Sequence, residues 1–234
     1  MITGMTMDGL PMWLEQASTW VAPVLLAITL HEAAHAFIAW RLGDDTAYRM
    51  GRVSFNPFRH VDPMGTVILP TVLIMLHAPF LFGWAKPVPV AFHRLRRPRS
   101  GMVAVAIAGP CANLLLAMGS ALLAHAVVYL PGQEWAFANI AHAIQINVML
   151  ALFNMIPIPP LDGGRVLLGV LPRALAGRFA RLERQGMLFL IVLLFVVPVF
   201  GRWLGYNFSP IAWVLERPFF LIHEGILRGA GLVG

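Results

Sequence analysis

Charge is scarce in this chain. Only 12% of its 234 residues are Asp, Glu, Lys or Arg, 59% are hydrophobic, and the mean hydropathy is +0.74. A soluble domain carries about 25% charged residues. The polar surface needed to cover a globule in water is therefore missing, and the bilayer is the expected solvent. Cysteine is scarcer still. The single Cys111 excludes an intramolecular disulfide framework and any zinc finger, which needs several thiolates. A basic helix, interleaved stacking aromatics and a Gly-rich phosphate loop are all absent, so the net charge of +6 does not imply a nucleic-acid partner. The basic residues instead gather in short loops beside apolar runs, as the positive-inside rule expects. Residues 1–19 lack a basic start and carry Asp8 and Glu15, which argues against a cleaved signal peptide. There is no repeat, no low-complexity tract and no polar stretch long enough for an appended globular module. Residues 1–234 are expected to form one integral-membrane domain.

What is present is a series of runs near the roughly 20 apolar residues that a membrane helix needs. Spans are expected at 19–41, 101–130, 136–156 and 186–200. The weaker run 210–230 is either a surface helix or a last crossing. Between the first two lies a polar, turn-rich stretch at 42–63, in which YRMGRVSF is expected to form a short strand or hairpin. It is followed by an apolar run at 64–82 and the helix-breaking GWAKPVPVAF. The basic loops 41–59, 86–99 and 173–184 should share the cytoplasmic side, which makes 64–82 re-entrant. Irregular backbone at membrane depth is tolerated where it lines a wet cavity or is buried in protein.

The first span contains LHEAAHAF. On a helix, i and i+4 lie on one face with Cβ atoms about 5–6 Å apart, so His31 and His35 can share one metal ion. Glu32 sits one step around, placed to take a proton from a nearby water rather than to ligate. This is the His-Glu-x-x-His pattern of zinc hydrolases. A buried Glu mid-span is costly without a use. Lone membrane histidines more often pack or hydrogen-bond, and that is the expectation for His77, His125 and His142. His60 and Asp62 are expected to stabilise turns. A hydrolytic zinc site usually has three protein ligands, and most of the chain's carboxylates lie in loops or at ends. Asp162, in PPLDGGRV, is the exception. At 1.5 Å per residue it lies roughly 16 Å from the basic surface at Arg173, and His31 and His35 lie about 9–15 Å from Arg41. The depths match, so Asp162 is the expected third ligand.

HEAAH followed by a distal FNMIPIPPLDGGRV resembles the site-2 proteases, intramembrane zinc metalloproteases. GRVSFNPFRHVDPMGT, FGWAKPVPV and AGPCAN are similar to segments of a compact bacterial and archaeal branch, in the family's order. The resemblance implies an all-α polytopic membrane protein. Its three-helix catalytic core would lie near 19–41, 101–130 and 136–171, with extra helices and a re-entrant or hairpin segment between the first two. It implies zinc held by His31, His35 and Asp162, with Glu32 as general base. Asn154 matches the family's Asn near the scissile carbonyl, and Asn113 is a second candidate for lining the site, helix–helix hydrogen bonding being its alternative role. The implied partners are a transmembrane protein substrate and the lipid bilayer, with homo-oligomerisation left open. The implied location is a prokaryotic cytoplasmic (inner) membrane, with the site open to the cytosol. The PDZ or CBS module of many relatives has no counterpart here, so substrate selection has no evident determinant. A zinc carrier would need ligands along a path, and a catalytically dead relative would have lost one of the four residues. Neither pattern is present.

Overall fold

A computed structural model of the chain describes residues 12–68, 72, 75, 85–129, 131–206 and 208–233. The helices are α1 (Met12–Arg41), the short α2 (Thr46–Arg49), α3 (Pro98–Val127), α4 (Glu134–Asn154), α5 (Asp162–Val170) and α6 (Arg173–Arg181). They continue with α7 (Glu183–Ile191), which runs through a widened turn at Val192–Val196 into α8 (Val197–Trp203), and end with α9 (Pro210–Gly229). Among the described residues, four stretches are long and apolar enough to cross a membrane: Ser18–Arg41, Pro98–Val127, Glu134–Asn154 and Gln185–Trp203. The chain is thus an all-α polytopic membrane protein, with no strand among the described residues.

The core is α1, α3 and α4. Lipid tails are as apolar as leucine, so membrane helices associate through close packing and interhelical hydrogen bonds rather than a hydrophobic drive. The seams accordingly hold small side chains: Ala27, Ala36 and Ala39 on α1 and Ala117 and Ala121 on α3 are fully buried. Further along, Ala124 and Val127 of α3, Ile140 and Ile144 of α4 and Ile226 of α9 close one cluster. The expected last run is thus a helix packed on α3 and α4, outside the four candidate crossings.

Cross-links between ends set the topology. Trp135 Nε1 donates to Ser18 Oγ at 2.8 Å, so α4 starts beside the start of Ser18–Arg41. Arg96 N donates to Leu42 O at 2.9 Å, and Arg99 donates to Leu171 O. The end of α1, the start of α3 and the end of α5 therefore meet at one end of the bundle, together with the basic residues Arg41, Arg94, Arg96, Arg97 and Arg99. Lys86 N donates to His60 O at 2.9 Å, and Ala91 N donates to Asp44 Oδ2 at 2.6 Å, so the loops at 42–63 and 85–97 also share that end. Most of 64–82, expected to be re-entrant, lies outside the described residues.

The strand expected in YRMGRVSF is not there. Asp44 Oδ1 accepts from both the hydroxyl and the N–H of Thr46, starting the helical turn α2. Gly51, at φ +66°, then reverses the chain in a region that L side chains rarely adopt. The reversal forestalls a ladder and turns Arg52 inward, to 6% exposure.

Candidate metal centre

His31 and His35 stand one turn apart on the α1 face that meets α3 and α4, and both are buried. Asp162 reaches them as the first residue of α5, where the irregular stretch 155–161 re-aims the chain after α4. The sequence separation is 131 residues, yet Asp162 Oδ2 lies 3.1 Å from His31 Nε2 and 3.2 Å from His35 Nε2. The two Nε2 atoms are 3.0 Å apart. Among the described residues these three are the one group of His, Cys, Asp or Glu that could hold a metal ion.

Hydrogen bonds settle what the three atoms present. His35 Nδ1 is 2.6 Å from the carbonyl of Val105, which can only accept, so the ring donates there. His31 Nδ1 is 2.6 Å from Asn113 Oδ1. With both Nδ1 atoms protonated, a neutral imidazole directs its Nε2 lone pair inward. Two lone pairs and a carboxylate oxygen then crowd one point, an arrangement that calls for a cation. In a tetrahedral site with bonds of about 2.0–2.1 Å, donor atoms stand about 3.3 Å apart, so the donor set fits zinc. Asp162 keeps its other oxygen, Oδ1, 3.9 Å from Arg165 Nη1, whose guanidinium also lies 5.5 Å from the centre of the Phe92 ring.

Space for the imidazoles comes from α3. A Cβ on Gly109 would lie 2.5 Å from His35 Nε2 and 2.6 Å from His31 Nε2. The bare backbone of Gly109 is the floor under both rings, a role visible only once α3 is packed against α1.

Glu32 lies beside this group, half-buried, and its Oε2 accepts from the N–H of Val88 at 2.9 Å. His31, Glu32 and Asn154 line a cavity of about 260 Å³, closed by apolar residues of α4 and α7 and by Pro160 and Leu161. Asn154 ends α4, its amide donating to Leu150 O at 3.0 Å. Of the two roles expected for Asn113, the bonds it makes to Ala27 O and Asn147 Oδ1 match helix–helix hydrogen bonding. It is fully buried behind His31, with no surface to offer a substrate. Of the other histidines, His125 bonds to Ala230 O, His142 to Thr19 O with its ring stacked on Trp20, and His60 to Ser54 O. Asp62 caps a turn through the N–H groups of Met64 and Gly65. His77 lies outside the described residues. Residues missed by sequence reasoning are Gly109, Arg165 and Asn147. The first two sit in motifs already noted, AGPCAN and PPLDGGRV, while Asn147 carried no local signal.

Comparison with known proteins shows the family of the chain. The profile of Peptidase family M50 matches residues 132–199. The chain is 38% identical over 185 residues to YwhC of Bacillus subtilis, provisionally named a zinc metalloprotease, covering 76% of this chain and 80% of the relative. It is 31% identical over 205 residues to Rip2 of Mycolicibacterium smegmatis, which carries the same provisional name, covering 84% of this chain and 72% of the relative. Rip2 of Mycobacterium tuberculosis is likewise 31% identical, over 196 residues. No solved structure gives a significant match. At this identity and coverage, the chain belongs to peptidase family M50, the site-2 protease family of zinc metallopeptidases.

Proposed function

We propose that the chain hydrolyses peptide bonds of membrane-spanning proteins within or near the bilayer, using zinc held by His31, His35 and Asp162 and Glu32 as general base. The observation that carries this is the convergence of three lone-pair donors, 3.0–3.2 Å apart, between helices long enough to cross a membrane. A carboxylate and a mostly apolar cavity adjoin them. Zinc bound there supplies Lewis acidity toward water and a peptide carbonyl, bringing water's ionisation toward a pKa of about 7.

The chain's own groups do the rest. Glu32 Oε2 is held by the Val88 N–H, which leaves Oε1 to take a proton from water and pass it to the departing amine. Asn154, which lines the cavity, is the candidate hydrogen-bond donor to the carbonyl oxygen as it gains charge, a contribution typically worth about 3 kcal/mol. The apolar wall of α4 and α7 suits the side chains of a membrane helix that has unwound locally. Residues 56–62 and 85–90 form a gate for that strand or an edge that pairs with it. Support comes from the bonds that tie Val88 to Glu32 and Lys86 to His60. Cross-linking of an extended substrate peptide only to residues far from both segments would rule the gate out. The basic end of the bundle faces the cytosol of a prokaryotic cell, with the site open to that side.

The test is a paired measurement on purified protein. Bound zinc is determined by elemental analysis, and cleavage of a generic transmembrane substrate is followed, for wild type and Glu32→Gln. One zinc in both with cleavage only in wild type is expected. Absence of zinc from both after loading overturns the site, and equal cleavage by both overturns the role of Glu32.

A further inference from the structure

Behind His31 the protein buries more polar chemistry than one hydrogen bond requires. Asn113 is fully buried on α3 and Asn147 is 2% exposed on α4. Both sit in the seam where the core otherwise uses alanine and valine. An amide buried in such a place is costly unless each of its polar atoms is satisfied, and here the atoms form one directed chain. Asn147 Nδ2 donates to the carbonyl of Ala143 at 2.8 Å. Asn147 Oδ1 is thereby turned toward α3, where it accepts from Asn113 Nδ2 at 2.7 Å. Asn113 Nδ2 also donates to the carbonyl of Ala27 on α1 at 3.2 Å. Asn113 Oδ1 is left as the atom facing His31 Nδ1, at 2.6 Å.

Each amide of this chain is anchored on a backbone carbonyl, which cannot donate. Neither amide can be flipped without setting acceptor against acceptor, at Ala143 O for Asn147 and at Ala27 O for Asn113. The direction of the whole chain is therefore fixed by backbone, and it terminates in an acceptor at His31. His35 gets the same service from a single backbone carbonyl, Val105 O. His31 has no carbonyl bonded to its Nδ1, and two amides from two other helices replace it.

We propose that Asn113 and Asn147 are positioning residues, a two-amide relay that holds His31 in its Nδ1–H tautomer and so keeps the Nε2 lone pair directed at the metal centre. The inference rests on the zinc reading of that centre. Removing partners of this kind typically weakens metal binding 10–100-fold. The relay also joins α1, α3 and α4 at the depth of the site, so that assembly of the core and orientation of the ligand are set by the same bonds.

The test uses the full-length protein in detergent or nanodiscs, with two readouts. One is the zinc dissociation constant by chelator competition. The other is the ¹⁵N spectrum of selectively labelled histidine in the zinc-free protein at pH 8. Wild type is expected to show His31 protonated at Nδ1, whatever Nε2 carries in the absence of metal. Asn113→Leu, close in volume, should bind zinc 10–100-fold more weakly and populate the Nε2–H tautomer. Asn113→Asp, which keeps an acceptor at His31, should stay closer to wild type in both. Asn147→Leu should fall between wild type and Asn113→Leu. Val148→Ala, in the same seam, should lower the melting temperature of the zinc-free protein and leave the tautomer unchanged. Wild-type affinity and unchanged Nδ1 protonation in Asn113→Leu overturn the relay. If Asn113→Leu does not fold, an unchanged tautomer and affinity in Asn147→Leu overturn it instead. Failure of wild type to bind zinc would strike at the zinc reading alone, because the tautomer is read without metal.

Discussion

At the scale of the residue, the centre depends as much on an absent side chain as on those present. Gly109→Ala places a methyl group 2.5–2.6 Å from both Nε2 atoms, and the Nδ1 bonds to Asn113 and Val105 limit how far the rings can retreat. The expected result is a protein that folds and inserts but binds zinc at least tenfold more weakly, as a chelator titration would show. Unchanged affinity would mean the rings can retreat. His31, Glu32 and His35 were legible from the sequence because helical spacing alone puts them on neighbouring positions. Asp162 was legible because two helices ending at one basic surface allow depths to be compared. Gly109 and Asn147 were not, since their meaning comes from contacts across 74 and 34 residues that no local pattern encodes.

At the scale of the element, the segment 85–91 is fastened at several points. Val88 N–H is on Glu32, Ala91 N–H is on Asp44, and the carbonyls of Lys86 and Pro87 are on Arg52. Prolines 87 and 89 have no N–H to lose, so the few remaining donors carry the docking. Arg52→Met should release the segment, costing about 2–3 kcal/mol of local stability for the lost charge-assisted bonds. Faster hydrogen exchange at Val88 and Ala91 is the readout, and unchanged exchange would show that Arg52 is not the fastening. The docking should also depend on pH. Burial, aided by the nearby Arg52 and Arg59, holds the His60 imidazole below its ordinary value of 6.5, against the opposing pull of Ser54 O and Glu32. The unfolded loop therefore takes up a proton at a pH where the folded loop does not. Stability is full above about 6.5 and falls as pH drops below it. Exchange at Val88 measured from pH 8 to 5, corrected for intrinsic rates, should show protection lost in that range, and His60→Gln should flatten the profile. Protection that grows on acidification would contradict the assignment. The sequence marked this region as turn-rich, yet the strand read into YRMGRVSF failed. The competing signals, an aspartate cap at Thr46 and a left-handed Gly51, act over only a few residues and outweigh β propensity.

At the scale of the whole molecule, the bundle has a basic end and an end without basic loops. In a Cys111→Ala background, cysteines at Arg97 and Leu175 should react with an impermeant thiol reagent from one side of the membrane, and one at Gly132 from the other. Labelling of all three from one side would refute the arrangement. The helices were legible because a span needs only length and hydrophobicity. The break between α4 and α5 was marked by PIPP. Its result, Asp162 delivered to α1, was inferred from depth and not from the break itself. Zinc should also stabilise the assembled bundle. At 1,000 times the dissociation constant, binding adds about 4 kcal/mol, so chelation should lower the melting temperature of wild type and leave that of His35→Ala unchanged. The 131-residue separation of His31 from Asp162 has a consequence in time. At a synthesis rate of about 5–20 residues per second, Asp162 leaves the ribosome roughly 7–26 s after His31. Throughout that interval the first helix carries His31, Glu32 and His35 without the third residue of the proposed site. On the proposed mechanism a nascent chain is therefore inert toward its neighbours in the membrane until about seven tenths of it has been made.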